Sequence, residues 1–231
     1  MLRSNLTDGK RILAPGMAIL FDMDGVIIHS TPLHNRAWEI YLGRHGIDPG
    51  EIEHRMHGKR NDEIVLDYFG PGLTAAEVFE HGAAKERLYR ELMAPELERW
   101  LVPGIRQILA ACEGVPKAVA SNAERPNIDF VLDGAGIRHY FRAAVDGGQV
   151  EKPKPAPEVF LKAAAQLGVD PGDCVVFEDS RAGVEAARRA GMRVMGLTTT
   201  LPSLADADLN VADFTDPRVA EWLASLQPLG R

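Results

Sequence analysis

The stretch Ala18-Ile19-Leu20-Phe21-Asp22-Met23-Asp24-Gly25-Val26-Ile27 constrains this chain more than any other. It opens as a short apolar run, the pattern of a strand buried on both faces of a parallel sheet. It ends in two carboxylates and a glycine. Side chains alternate along a strand, so Asp22 and Asp24 start on the same side. Gly25 lets the backbone turn once the strand is over. Two acids at the carboxyl end of a strand stand where open α/β sheets hold their ligands. Such a pair suits a metal ion and a division of labour, one acid as nucleophile and the other as general acid/base. An Asp-Gly turn that merely closes the strand is the plainer reading of the same residues. Asp-x-Asp also opens EF-hand loops, but the glycine and closing glutamate of that loop are missing.

Helical spacing dominates the next seventy residues. Thr31-Pro32 opens a helix through His34, Ala37, Trp38, Ile40, Tyr41 and Leu42, which Gly46 ends. Pro49 begins another short helical stretch. The polar, basic run His57-Gly58-Lys59-Arg60-Asn61-Asp62 reads as a loop into a helix N-terminus, with Asn61 or Asp62 as cap. Thr74 and Glu77 fit a capping box, and a long helix is expected to about Met93. From Val102 the pattern becomes strand-helix alternation. Strands are expected over 115–120, 141–145, 174–177, 193–197 and 208–211, and helices over 103–112, 126–134, 157–167, 181–190 and 217–226. The alternation predicts an α/β fold with a doubly wound parallel sheet. Its expected domains are a loose tail over 1–16, a core of 17–30 with 101–231, and a helical cap inserted at 31–100.

Three later strands end in residues with chemistry. Val119-Ala120 gives way to Ser121-Asn122, and Phe177 to Glu178-Asp179-Ser180. Val145 leads into a loop that carries Lys152 and Lys154 among prolines 153, 155 and 157. On one sheet edge these segments converge with Asp22 and Asp24. Four acids close together repel one another, and a hard divalent cation such as Mg²⁺ relieves that. A lysine and a hydroxyl can then bind phosphoryl oxygens, which completes a set of groups suited to phosphoryl transfer. Taken singly, Ser121-Asn122 also reads as a helix cap, the lysines as solvated loop residues, and Glu178-Asp179-Ser180 as a helix-start cluster.

Composition narrows the partners. The net charge of −7, from 26 basic and 33 acidic residues, argues against nucleic-acid binding. No apolar run approaches the roughly 20 residues that span a membrane. The two cysteines, Cys112 and Cys174, are far apart and form no metal pair, so a reduced, cytoplasmic setting is expected. A moving cap and core need no second copy, so a monomer is expected.

With these residues in view, the chain from about Met17 resembles the haloacid dehalogenase-like phosphotransferases, and within them the β-phosphoglucomutase-like group. The resemblance rests on Phe21-Asp22-Met23-Asp24-Gly25-Val26, Ala120-Ser121-Asn122, Lys154-Pro155-Ala156-Pro157-Glu158-Val159-Phe160, and Phe177-Glu178-Asp179-Ser180-Arg181-Ala182-Gly183 onward through Gly191-Met192. It implies that Asp22 attacks phosphorus and that Asp24 protonates the leaving oxygen. It also implies that Ser121 and Lys154 hold the phosphoryl group. Asp22, Asp24 (through its backbone carbonyl), Glu178 and Asp179 would surround Mg²⁺. Lys154 fits the family register because Pro-Ala-Pro-Glu follows it, with Lys152 as competitor. Gly25, Asn122 and the cap residues His34, Trp38 and Arg60 would contact substrate. The implied activity is a phosphatase of a small phosphorylated metabolite, with a hexose phosphomutase as the alternative.

Two departures stand out. His29 occupies a position where much of the group has aspartate, and the cap lysine that the mutase uses has no clear counterpart, Arg87 and Arg90 lying nearby. Dehalogenating and phosphonate-cleaving relatives lack the second aspartate of the first motif, so Asp24 argues against both activities. A metabolite-binding protein without catalysis would be expected to lose Asp22 or the lysine. A flavodoxin-type carrier would need a phosphate-cradling loop where this chain has acids.

Overall fold

The computed structural model describes residues 12–52 and 60–228. The chain divides into two compact units, one of Met1–His29 with Leu101–Arg231 and the other of Ser30–Trp100.

The smaller unit is helical: α1 (Thr31–Arg44), α2 (Asn61–Phe69), α3 (Ala75–Met93) and α4 (Leu97–Trp100). Its core gathers Trp38, Leu42, Val65, Tyr89 and Met93, all buried. The capping box at the start of α3 is present: the Glu77 carboxylate accepts from Thr74 N at 2.7 Å, and Thr74 Oγ1 accepts from Glu77 N at 3.3 Å. At α2 the cap position falls to Arg60, one residue before the expected Asn61 or Asp62. Asn61 is drawn inward instead, its amide donating to Glu86 Oε1 at 2.6 Å. The helical stretch expected from Pro49 and the His57-Gly58-Lys59 loop run into residues 53–59, outside the described residues.

The larger unit is a six-stranded parallel sheet in the order β3-β2-β1-β4-β5-β6. The strands are β1 (Ala18–Phe21), β2 (Lys117–Ala120), β3 (Ala143–Val145), β4 (Cys174–Glu178), β5 (Arg193–Leu197) and β6 (Leu209–Val211). Between and after them come α5 (Ile105–Ala111), α6 (Arg125–Gly134), α7 (Glu158–Leu167), α8 (Arg181–Arg189) and α9 (Pro217–Ser225). The first strand expected after the helical unit starts at Lys117, later than its apolar run suggests, since Pro116 has no N–H for a ladder. Helix α5 starts two residues late because Gly104 takes a left-handed φ of 82°. Leu13, in the segment read as a tail, is buried.

Strand β1 is fully buried and lies between β2 and β4, with Leu20 opposite Ala118 and Val176. Alternation sends Ala18 and Leu20 into one layer with Val159, Phe160 and Ala163 of α7 and Val184, Ala186 and Ala187 of α8. On the other side the Phe21 ring meets Phe177 at 5.0 Å and Phe214 at 6.2 Å, centroid to centroid. Each such buried ring contributes about 1.5–3 kcal/mol. From β1 the chain winds outward through β2 to β3, then returns to β4 and winds the other way. The reversal at β1 and β4 opens a crevice at their carboxyl ends, where ligands of open α/β sheets bind.

Candidate active site

Polar residues cluster at the ends of β1, β2, β4 and β5 in the larger unit. Asp22 extends β1 by one residue, its N–H donating to Phe177 O at 3.0 Å. Its carboxylate receives Lys154 Nζ at 2.7 Å, and the same ammonium reaches Glu178 Oε1 at 2.6 Å. Lys154 therefore bridges the ends of β1 and β4. Its backbone N–H donates to Asn122 Oδ1 at 3.2 Å, which ties its loop to the end of β2. Lys152, the competitor, is exposed, and its backbone N–H caps onto Glu158 at 3.0 Å.

Glu178 is wholly buried, and its other oxygen, Oε2, accepts from Asp179 N, Ser180 N and Ser180 Oγ, each at 2.9 Å. These donors open α8, so the carboxylate sits at a helix N-terminus, where negative charge is favoured. Gly183 makes this possible, because a Cβ there would overlap the Glu178 carboxylate. Gly25, at φ 72°, does the same for Asp179, whose carboxylate occupies the space a Cβ would need.

Burial is the largest influence on Asp22 and pushes its pKa up; Lys154 opposes this, Glu178 and Asp24 add to it, and the result is about 7. Burial, with Glu178 and Asp22, also holds Asp179 well above the ordinary carboxylate range. Lys154 runs the other way: burial disfavours its charge, but Asp22 and Glu178 more than compensate and raise it.

Asp22, Glu178 and Asp179 offer oxygens that lie within 4.8 Å of one another. Lys154 offsets one of these three negative charges when all are ionised. An all-oxygen donor set with surplus negative charge fits a hard divalent cation such as Mg²⁺. Glu178 Oε1 and Oε2 already serve Lys154 and the start of α8, so Glu178 anchors the lysine as well as belonging to the acidic cluster that could hold a cation. Asp24 lies in the following turn and is not one of the three clustered side chains. Ser121 is buried at the end of β2, its hydroxyl accepting from Ala123 N at 3.2 Å.

Two residues absent from the sequence reading join this cluster. Thr199 Oγ1 donates to Gly25 O at 2.6 Å, and Thr200 Oγ1 donates to Asp179 Oδ2. Both lie in the turn after β5, two and three residues beyond Leu197, at a strand end like the others.

Within the helical unit, His34 stacks on Tyr89 with centroids 3.8 Å apart, and Trp38 lies under Lys85, whose Nζ is 5.2 Å from the indole. Lys85 is almost wholly buried and donates to Glu86 Oε1 at 2.7 Å, with His34 Nδ1 2.8 Å away. The sequence points to Arg87 and Arg90 here, beside Glu86, and not to Lys85, which is the buried cation of this helix. Arg60 is exposed and lies bidentate on Asp62, at 3.1 and 2.7 Å.

The model of the haloacid dehalogenase-like hydrolases matches residues 17–191. The chain belongs to that family. The fructose-1-phosphate phosphatase YqaB of Escherichia coli (strain K12) is 33% identical over 177 residues, covering 75% of this chain and 92% of that protein. A β-phosphoglucomutase of Bacillus subtilis (strain 168) is 32% identical over 205 residues, 86% of this chain and 90% of that one. Among solved structures, the β-phosphoglucomutase of Clostridium difficile superposes with a TM-score of 0.78 at 25% identity, covering 90% of this chain and 96% of that one. As a member of this family the chain is an enzyme, a phosphohydrolase or a phosphomutase. No helix among the described residues is long and apolar enough to cross a membrane.

Proposed function

We propose that this enzyme is a Mg²⁺-dependent phosphatase of a small phosphorylated metabolite, a sugar phosphate, working through an aspartyl-phosphate on Asp22. The observation that carries this reading is the Lys154 ammonium shared between Asp22 and Glu178 beside Asp179. That arrangement pairs a buried anionic nucleophile with a fixed positive charge next to an oxygen-lined cation position.

Asp22 and Asp179 would hold the ion with Glu178 alongside and the Asp24 carbonyl as a further ligand. Bound there, Mg²⁺ supplies positive charge to the phosphoryl oxygens. The Asp22 carboxylate attacks phosphorus, and the bond from phosphorus to the ester oxygen breaks. That oxygen leaves with the electron pair and takes a proton from Asp24. Asp24, now ionised, removes a proton from water, whose oxygen attacks the phosphorus of the aspartyl-phosphate. Inorganic phosphate leaves and Asp22 is restored. Lys154 and the Ser121 hydroxyl hold the phosphoryl oxygens throughout, so most of the acceleration is positioning and charge stabilisation. Asn122 holds the lysine loop, and Gly25 lets the turn pass close to the reacting group. The helical unit acts as the cap, with His34, Trp38 and Arg60 setting which metabolite is accepted.

The phosphomutase reading is supported by the likeness to the Bacillus subtilis β-phosphoglucomutase. Against it, Lys85 is already matched by the adjacent Glu86 carboxylate, which makes it a poor receptor for a second phosphate. Inorganic phosphate release from a panel of sugar monophosphates, with and without Mg²⁺, separates the two. A phosphatase liberates phosphate from at least one of them, whereas a mutase moves the ester without release.

A further inference from the structure

We infer that Thr200 is a positioning residue for the metal site, fixing the carboxylate of Asp179 so that its oxygens face the cation; this rests on the metal reading above. Thr200 stands just beyond β5, the strand next to β4, and its hydroxyl donates to Asp179 Oδ2. Asp179 is buried, and its carboxylate packs against Gly25 in the space that a Cβ there would fill. Thr199, one residue earlier, holds the carbonyl of that same Gly25 at 2.6 Å. The end of β5 thus grips both the turn after Asp24 and the acid after β4. A ligating carboxylate can rotate about its χ angles, and an outer hydrogen bond is what selects one orientation. Asp179 needs such a hold because Asp22 and Glu178 repel it and Lys154 is spent on those two. Groups that orient metal ligands typically contribute 10–100-fold in metal affinity.

The test uses the full chain with Mn²⁺ as probe, read as loss of the free-ion electron paramagnetic resonance signal. The Michaelis constant for Mg²⁺ and the melting temperature of the metal-free protein are measured alongside. Thr200→Val keeps the side-chain shape and removes the hydroxyl, and Thr200→Ala, which only deletes atoms, guards against a folding defect. Both are expected to weaken Mn²⁺ binding about 10-fold or more and to raise the Mg²⁺ requirement in step. The rate at saturating Mg²⁺ and the metal-free melting temperature should change little. Thr200→Ser, which keeps the donor, should return binding to the wild-type level. Wild-type Mn²⁺ affinity in both the valine and alanine variants would overturn the inference while leaving the metal reading intact. So would a serine variant as weak as valine. Wild-type protein that binds no more Mn²⁺ than Asp179→Asn would overturn the metal reading and this inference together.

Discussion

Lys154 and Asp22 stand 132 residues apart in the chain and 2.7 Å apart in space, Nζ to Oδ1. Neither would be stable there alone. A buried ammonium or carboxylate loses several kcal/mol of hydration, and the pair recovers it only through mutual attraction and further hydrogen bonds. Glu178 supplies the second acceptor for the lysine, and the N-terminus of α8 steadies Glu178. The sheet is what permits this, since β1 and β4 are neighbours and end at the same height.

Lys154→Ala is expected to lower kcat about 10²–10³-fold, the usual loss when a fixed donor to a phosphoryl or oxyanion group is removed. Lys152→Ala, two residues away on an exposed side chain, is expected to leave kcat within about twofold, as surface changes usually do. Steady-state phosphate release from both variants is the check. Equal losses would mean that the loop's overall charge matters and not the Lys154 contact.

Gly183→Ala sets two effects against each other. Alanine is favoured over glycine inside a helix by about 1 kcal/mol. A Cβ at 183 would overlap the Glu178 carboxylate, which Lys154 and the backbone amides of Asp179 and Ser180 hold in place, so it cannot swing aside cheaply. Overpacking of this kind costs about 1–3 kcal/mol, and the clash should win. The variant should melt lower and lose activity. A thermal melt at or above wild type would show that Glu178 moves freely.

In the helical unit, burial raises the pKa of Glu86, but Lys85, His34 and Asn61 outweigh it and bring the value from 4.5 down to about 2. An acid with a depressed folded pKa stabilises above its unfolded pKa and loses that contribution as the pH falls through the folded one. Stability from Glu86 is thus present above pH 4.5 and fades toward pH 2. Glu86→Gln removes a buried carboxylate held 2.7 Å from Lys85 Nζ, and breaking a buried ion pair of this kind should cost about 3–5 kcal/mol near neutral pH. The deficit should narrow at about pH 3, where wild type has lost part of its own advantage. Denaturant unfolding at the two pH values measures it, and an equal deficit at both would contradict the pKa assignment.

Much of this site was legible because parallel strands bury apolar runs and stop abruptly at polar residues. Asp22, Ser121 and Glu178 each follow such a run, and one sheet edge collects them. Thr199 and Thr200 also come after an apolar strand, yet hydroxyls carry no charge and read as an ordinary turn, so the sequence does not single them out. The register before Pro155-Ala156-Pro157-Glu158 favours Lys154 and leaves Lys152 as competitor; the fold separates them, because only the Lys154 side chain turns inward to Asp22 and Glu178 while Lys152 is exposed. Lys85 and Glu86 were hidden for another reason. They share the stripe of α3 with Gly82, Tyr89 and Met93, at helical spacing, yet charged residues on a helix are ordinarily assigned to its solvent face. A lysine and a glutamate on an otherwise apolar stripe are the signal of a buried pair.

Phosphorus NMR of a pooled sugar-phosphate panel with Mg²⁺, run on wild type beside Asp22→Asn, tests the central claim most directly. The substitution keeps the shape of the side chain and removes the attacking carboxylate. The account predicts a growing inorganic phosphate peak with wild type and none with the variant. Phosphate release that persists in Asp22→Asn would contradict it, as would an ester signal that moves between hexose positions without any release.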